Sequence, residues 1–105
     1  MIYKKFTLSN FKIQKLIKKH GIIGYAIYNY LQELIHKNNS KLLLLNETIK
    51  KEICDDMQID SNLFDLILRE MIVLQILKTI TYEGTSETYL ANLFYDSKEE
   101  DKNNG

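Results

Sequence analysis

One segment of the chain contains apolar pairs spaced by four residues, and this spacing is the strongest constraint on the fold. The pairs are Leu63/Phe64, Ile67/Leu68 and Met71/Ile72. A period near 3.6 residues places these side chains on one face of an α-helix, and such a face is normally buried against other elements. Either Asp60 or Ser61 can cap the N-terminus. The segment therefore predicts a firmly docked helix that begins at about residue 61.

A glycine divides the N-terminal part of the chain into two predicted helices. Apolar residues repeat at helical spacing from Ile13 to Ile17, which predicts a first helix over residues 11–20. Gly21 then ends it, as glycine commonly does at helix C-termini. A wider apolar stripe from Ile23 to Ile35 predicts a second helix, the longest in the chain.

The remaining predicted elements are short. Lys41–Leu45 contains four consecutive leucines and predicts a strand, and Asn46 can cap a short helix behind it. Residues 76–82 alternate and are rich in β-branched residues, residues 83–86 form a turn, and residues 87–90 return as a partner strand. The end of the chain therefore predicts a β-hairpin.

These elements predict a mainly α fold with a small β-sheet. Their order is that of a winged helix-turn-helix with an extra N-terminal helix, in which the helices after Asn46 and Asp60 form the helix-turn-helix pair. We expect one domain over residues 1–95, because a chain of 105 residues has room for a single core. The polar residues 96–105 are expected to be a disordered tail.

Positive charge is concentrated at the start of the chain although the net charge is zero. Residues 1–32 carry +6, residues 33–82 carry −2 and residues 83–105 carry −4. Asp65 and Glu70 are expected on the exposed side of the recognition helix, where they would repel a DNA backbone. The predicted DNA contacts are therefore Lys12, Lys15, Lys18, Lys19, Lys50, Lys51 and Arg69. The alternative is a solvated lysine face that binds nothing.

A glycine and tyrosine motif opens the second predicted helix. Residues 21–28 read Gly-Ile-Ile-Gly-Tyr-Ala-Ile-Tyr. This motif, which enters a long helix after a basic one, resembles the N-terminal domain of DnaD-like replication initiation proteins of phages and low-GC bacteria. Residues 63–74 and 88–95 are similar to that family's last helix and wing. The resemblance implies a winged-helix domain that helps assemble a replication initiation complex through DNA contacts, self-association or both.

Two differences from that family keep a second hypothesis open. Its members usually have acidic residues just before the first helix, where this chain has Lys4 and Lys5, and many have a further C-terminal DNA-binding domain that this sequence lacks. The second hypothesis is a protein-interaction or oligomerisation module with little affinity for DNA, because winged helices serve both purposes. The expected partners are DNA, replication proteins or a second copy of the chain.

The sequence contains no pattern that predicts catalysis, a metal or a cofactor. His20 and His36 lack the cysteines or carboxylates that would complete a zinc site. Asp55 and Asp56 are adjacent, so on a helix they do not point the same way for paired acid and base work. Residues 21–24 have the Gly-x-x-Gly spacing of a KH loop, but the loop is apolar and no strand precedes it. We predict that the chain is not an enzyme.

Cysteine usage and hydropathy predict a cytoplasmic protein. Cys54 is the only cysteine, so no intramolecular disulfide can form, which suits a reducing compartment. No run approaches the ~18 consecutive apolar residues that a membrane span needs. The N-terminus also lacks the long apolar core of a secretory signal. We therefore expect no membrane partner.

Overall fold

The computed structural model describes residues 11–93 of the chain. Its elements are α1 (Phe11–Lys37), β1 (Leu42–Leu45), α2 (Glu47–Met57), α3 (Ser61–Val73), β2 (Leu77–Thr81) and β3 (Thr88–Asn92). The predicted mainly helical fold with a small β-sheet is confirmed. The predicted domain boundary at residue 95 and the predicted tail over residues 96–105 lie outside the described residues.

Helix α1 is interrupted at Gly21, whose backbone has φ 71° and ψ −157°. This conformation is available almost only to glycine, because a Cβ atom would clash with the backbone. The predicted helix end at Gly21 is confirmed, although helical geometry resumes directly afterwards. We call residues 11–20 the leading arm and residues 22–37 the central arm of α1.

Gly24 brings the two arms into close contact. This residue is buried, and a Cβ atom built on it would lie 3.0 Å from the Cβ of His20 and 3.5 Å from the Cγ of Leu16. The two glycines of the motif therefore act in different ways. Gly21 permits the break in the helix, and Gly24 leaves room for the leading arm beside the break.

Side-chain caps begin the two short helices as predicted. The side chain of Asn46 accepts a hydrogen bond from the Ile49 amide at 2.8 Å at the start of α2. Asp60 accepts one from the Asn62 amide at 3.0 Å at the start of α3. Each cap satisfies an amide that has no partner within the helix.

The three strands form an antiparallel sheet in the order β1-β3-β2. Strand β3 lies in the centre, so that Leu90 pairs with Leu43 on one side and with Thr79 on the other. Strand β3 extends two residues beyond the predicted strand end, because Ala91 pairs with both Leu42 and Lys78 and Asn92 pairs with Leu77. The sequence also predicts a last turn of helix over residues 92–95. Asn92 belongs to β3 instead, Leu93 is helical, and residues 94–95 lie outside the described residues.

The core is formed by one face of each helix and by the inner side of the sheet. The largest fully buried side chains are Ile13, Leu16, Ile27, Leu31, Ile35, Phe64, Ile67, Met71, Ile76, Leu77 and Leu90. The paired pattern of α3 correctly predicted that Phe64, Ile67 and Met71 face inward. Removal of this apolar surface from water is the main force that holds the arms of α1, helix α3 and the sheet together.

Candidate nucleic-acid interface

The leading arm is attached to α3 and to the residues that follow it by two of the predicted DNA-contacting lysines. The Nζ of Lys19 lies 3.2 Å from Oε2 of Glu70, and Nε2 of His20 lies 4.0 Å from Oε1 of the same residue. The Nζ of Lys12 donates to the backbone oxygen of Gln75 at 3.4 Å. These contacts hold the arm in place. They also reduce the positive charge of the leading arm that is available to DNA.

Lys15 and Lys18 keep their charges exposed on the same arm. The Nζ of Lys15 lies 5.5 Å from the centroid of the Phe11 ring, a cation–π contact that leaves the ammonium group in solvent. Neither lysine has an acidic partner among residues 11–93. Together with Lys19 they border a groove of about 350 Å³ that Glu70 and Leu74 line on the other side.

Lys50 joins α2 to α3 through an ion pair. Its Nζ lies 3.2 Å from Oδ1 of Asp65 and 3.5 Å from Oε2 of Glu47, and only 19% of its side chain is exposed. The hydrogen bond to Asp65 raises the pKa of the Lys50 ammonium group above its ordinary value, although desolvation acts in the opposite direction. Lys50 therefore remains charged and neutralises Asp65.

The last lysine of the predicted set lies on the surface of α2. The Nζ of Lys51 is 3.2 Å from Oδ2 of Asp55, and both side chains are exposed at i, i+4 positions. A surface pair of this kind is worth little in stability, typically about 0.3–0.5 kcal/mol on a helix. It still reduces the local positive potential that a phosphate group would meet.

The two acids of α3 are less exposed than the sequence predicted. Asp65 and Glu70 are both half-buried, and each is paired with a lysine from another helix. Their pairing with lysines reduces the negative charge that was expected to repel DNA. The pairing partners, Lys50 and Lys19, are supplied by the way the helices cross, which the spacing within α3 does not reveal.

The exposed stripe of α3 consists of Asn62, Leu66, Arg69 and Val73, at i, i+4, i+7 and i+11. Leu66 is 49% and Val73 68% exposed. Arg69 is exposed and has no acidic partner within residues 11–93. Val73 was missed by sequence reasoning, although its position one heptad after Leu66 places it on the same side of the helix.

Residues 11–93 contain few other side chains that could bind a metal ion or act as a nucleophile. No group of three or more histidine, cysteine or acidic side chains within residues 11–93 could hold a metal ion. Cys54 is buried, and this burial raises the pKa of its thiol, which disfavours the reactive thiolate. Among the helices of residues 11–93, none is both long enough and apolar enough to cross a bilayer.

The fold and the charged surface define a small, mainly helical domain with a three-stranded antiparallel sheet and a basic N-terminal arm. The chain belongs to a family described as Lin1244/Lin1753-like, N-terminal, whose model matches residues 4–89. Comparisons with curated proteins and with solved structures gave no match. The family match does not link the chain to DnaD-like proteins, so that resemblance stays a prediction.

Proposed function

We propose that the chain is a winged-helix domain that contacts the phosphate backbone of DNA within a replication initiation assembly. The sheet order β1-β3-β2, with β1 placed before the two short helices, supports a winged-helix assignment. In this assignment α2 and α3 are the helix-turn-helix pair and the β2–β3 hairpin is the wing. The link to replication rests on the motif at residues 21–28.

The observation that carries the DNA proposal is the distribution of ion pairs. Both acids of α3 are neutralised by lysines, while Lys15, Lys18 and Arg69 have no acidic partner among residues 11–93. The repulsion expected from α3 is thereby reduced, and three cations remain available to phosphate groups. Lys12, Lys19, Lys50 and Lys51 contribute less because they already contact other groups of the protein.

The same surface predicts little sequence preference. Phosphate contacts position a protein on DNA without reading bases, whereas base reading requires donors and acceptors in a groove. Only Asn62 and Arg69 on the exposed stripe of α3 could contact a base edge, since Leu66 and Val73 are apolar. Binding is therefore expected to depend on salt concentration and to be similar for unrelated sequences.

The variant Lys15→Glu/Lys18→Glu is expected to bind DNA about tenfold more weakly or worse at low salt, because two attractive phosphate interactions become repulsive. The plot of log affinity against log salt should also become less steep, by roughly 0.9 for each phosphate group that is no longer neutralised. Fluorescence anisotropy with a short labelled duplex of arbitrary sequence measures both quantities.

The matched control for this experiment is Lys37→Glu/Lys41→Glu, which changes the net charge equally at residues outside the leading arm and outside the predicted DNA contacts. It should retain most of the wild-type affinity. Equal losses of DNA affinity in the two variants would show a general effect of net charge, and they would rule out the leading arm as the binding surface. Failure of the wild-type chain to bind any duplex at low salt would reject the DNA proposal itself.

A second candidate function is a protein-interaction or oligomerisation module, which the exposed Leu66 and Val73 favour. Apolar side chains this exposed on one stripe of a helix are typical of an interface. If α3 mediates self-association, wild-type protein should form dimers or larger species in light scattering, and Leu66→Glu/Val73→Glu should be monomeric. A wild-type protein that stays monomeric at high concentration contradicts self-association through α3.

A further inference from the structure

A second groove opens between the central arm, β1 and α2, and we call it the acidic groove. It has a volume of about 500 Å³ and is lined by Tyr30, Leu34, Leu43, Ile49, Glu52, Ile53, Asp55 and Asp56. We propose that this groove binds an amphipathic helix of a partner protein that carries lysine or arginine next to its apolar face. None of the residues proposed to contact DNA lines it, so the two proposals stand or fall separately.

The floor of the acidic groove is apolar. Helix α2 contributes Ile49 and Ile53, which are one helical turn apart, while Leu34 comes from the central arm and Leu43 from β1. Leu34 and Ile49 are only half-buried, so part of their apolar surface remains available to a ligand. A volume of this size accommodates the anchor side chains of a helix laid along the groove, as in other helix-in-groove complexes.

The rim of the groove is negatively charged. Glu52 and Asp56 follow Ile49 and Ile53 on the same face of α2, and both are exposed. Neither has a lysine or arginine partner among residues 11–93, whereas Asp55 is paired with Lys51. A cation on a bound helix would therefore find two carboxylates that the protein itself has not neutralised.

A hydrogen bond across the groove keeps one of these carboxylates in place. The hydroxyl group of Tyr30 on the central arm donates to Oδ2 of Asp56 on α2. This bond is the main reason why the pKa of Tyr30 is raised to about 12. Tyr30 thus remains a donor at neutral pH, and Asp56 presents its second oxygen at the rim.

These features together favour a basic amphipathic helix over other ligands. Phosphate groups of nucleic acids are repelled by Glu52 and Asp56. A simple cation would use the rim but gain nothing from the apolar floor. An apolar helix without lysine or arginine would leave the rim carboxylates partly desolvated and unpaired, which costs binding energy.

The test uses the full chain labelled with ¹⁵N and three synthetic helical peptides. The first has leucine at i, i+3, i+4 and i+7 with lysine at the flanking positions, the second replaces lysine with glutamate, and the third replaces leucine with alanine. The Leu/Lys peptide should shift amide signals of Leu34, Leu43 and residues 49–56. It should bind roughly tenfold more tightly, or better, than either of the other peptides.

Variants of the rim identify the site. Glu52→Lys/Asp56→Lys should weaken binding of the Leu/Lys peptide about tenfold or more. The control Glu83→Lys/Glu87→Lys, which changes exposed acids outside the groove, should not. Glu52→Gln/Asp56→Asn keeps an acceptor for Tyr30 and should give an intermediate loss even if the lysine variant folds poorly. Lys15→Glu/Lys18→Glu should retain peptide binding, which separates this test from the DNA experiment.

Four outcomes would overturn the proposal. Signal shifts confined to the leading arm or α3 would show that the peptide binds outside the groove. Equal affinity for the alanine peptide would show that the groove binds cations in general and does not recognise an apolar helix face. Unchanged affinity in both rim variants would show that Glu52 and Asp56 do not bind the ligand. Concentration-dependent shifts at the groove without any peptide would identify a second copy of the chain as the occupant.

Discussion

Replacement of Phe64 by alanine is expected to lower the free energy of unfolding by about 3–5 kcal/mol. Phe64 has 0% exposure and comes from the centre of α3, where it contributes to the buried cluster shared with α1 and the sheet. Its removal loses the transfer free energy of the ring and leaves a cavity that the neighbouring side chains fill only in part. Since small domains have total stabilities of about 5–15 kcal/mol, the variant should be close to unfolding.

Urea denaturation followed by circular dichroism measures this effect. Leu66→Ala is the matched control, because Leu66 lies on the opposite side of the same helix and is 49% exposed. This control should change the free energy of unfolding by no more than about 0.5–1 kcal/mol. Similar midpoints for the two variants would mean that the burial pattern of α3 is not the one described.

Replacement of Gly21 by alanine is expected to lower the free energy of unfolding by about 1–3 kcal/mol, the usual cost of an L-residue in such a backbone region. The cost comes from the local backbone alone, because a Cβ atom on Gly21 would have no atom within 4 Å apart from the adjacent residues and the nearby backbone of the helix. Alanine favours helical geometry, so the variant can also straighten α1. A straightened helix would move the leading arm away from α3 and break the pair between Lys19 and Glu70.

The controls for Gly21 separate backbone strain from helix propensity. Asn29→Ala lies at an exposed position of the central arm and should leave stability unchanged or slightly raised. D-Alanine at position 21, introduced by chemical ligation at Cys54, should be tolerated because its preferred dihedral angles mirror the extended region of an L-residue. A Gly21→Ala variant as stable as the wild type would contradict the conformation described for residue 21.

Most of the secondary structure follows from local features of the sequence. The apolar pairs of α3 indicated its buried face, and Asn46 and Asp60 were recognisable as caps because a helix start needs acceptors for its first amides. The limits of β3 were less predictable. Its extension beyond Leu90 depends on the pairing of Ala91 with Leu42 of β1 and of Asn92 with Leu77 of β2, and neither partner is local in sequence.

The candidate interface was predicted less completely than the fold. The sequence indicated a basic leading arm, and Lys15 and Lys18 do lie on its exposed side. It also suggested Lys50 as a DNA contact and Asp65 as a repulsive group. The structure shows that the two neutralise each other at 3.2 Å, across the crossing of α2 and α3.

The sequence by itself determined where the helices begin and break and which faces are buried, because capping, glycine conformation and helical periodicity act over a few residues. Only the tertiary structure decided which charges remain available for a partner. Lys19 and Glu70 are 51 residues apart in the chain, and their pairing exists only because the leading arm packs against α3. The acidic groove has the same origin, since its apolar floor and its carboxylates come from α1, β1 and α2.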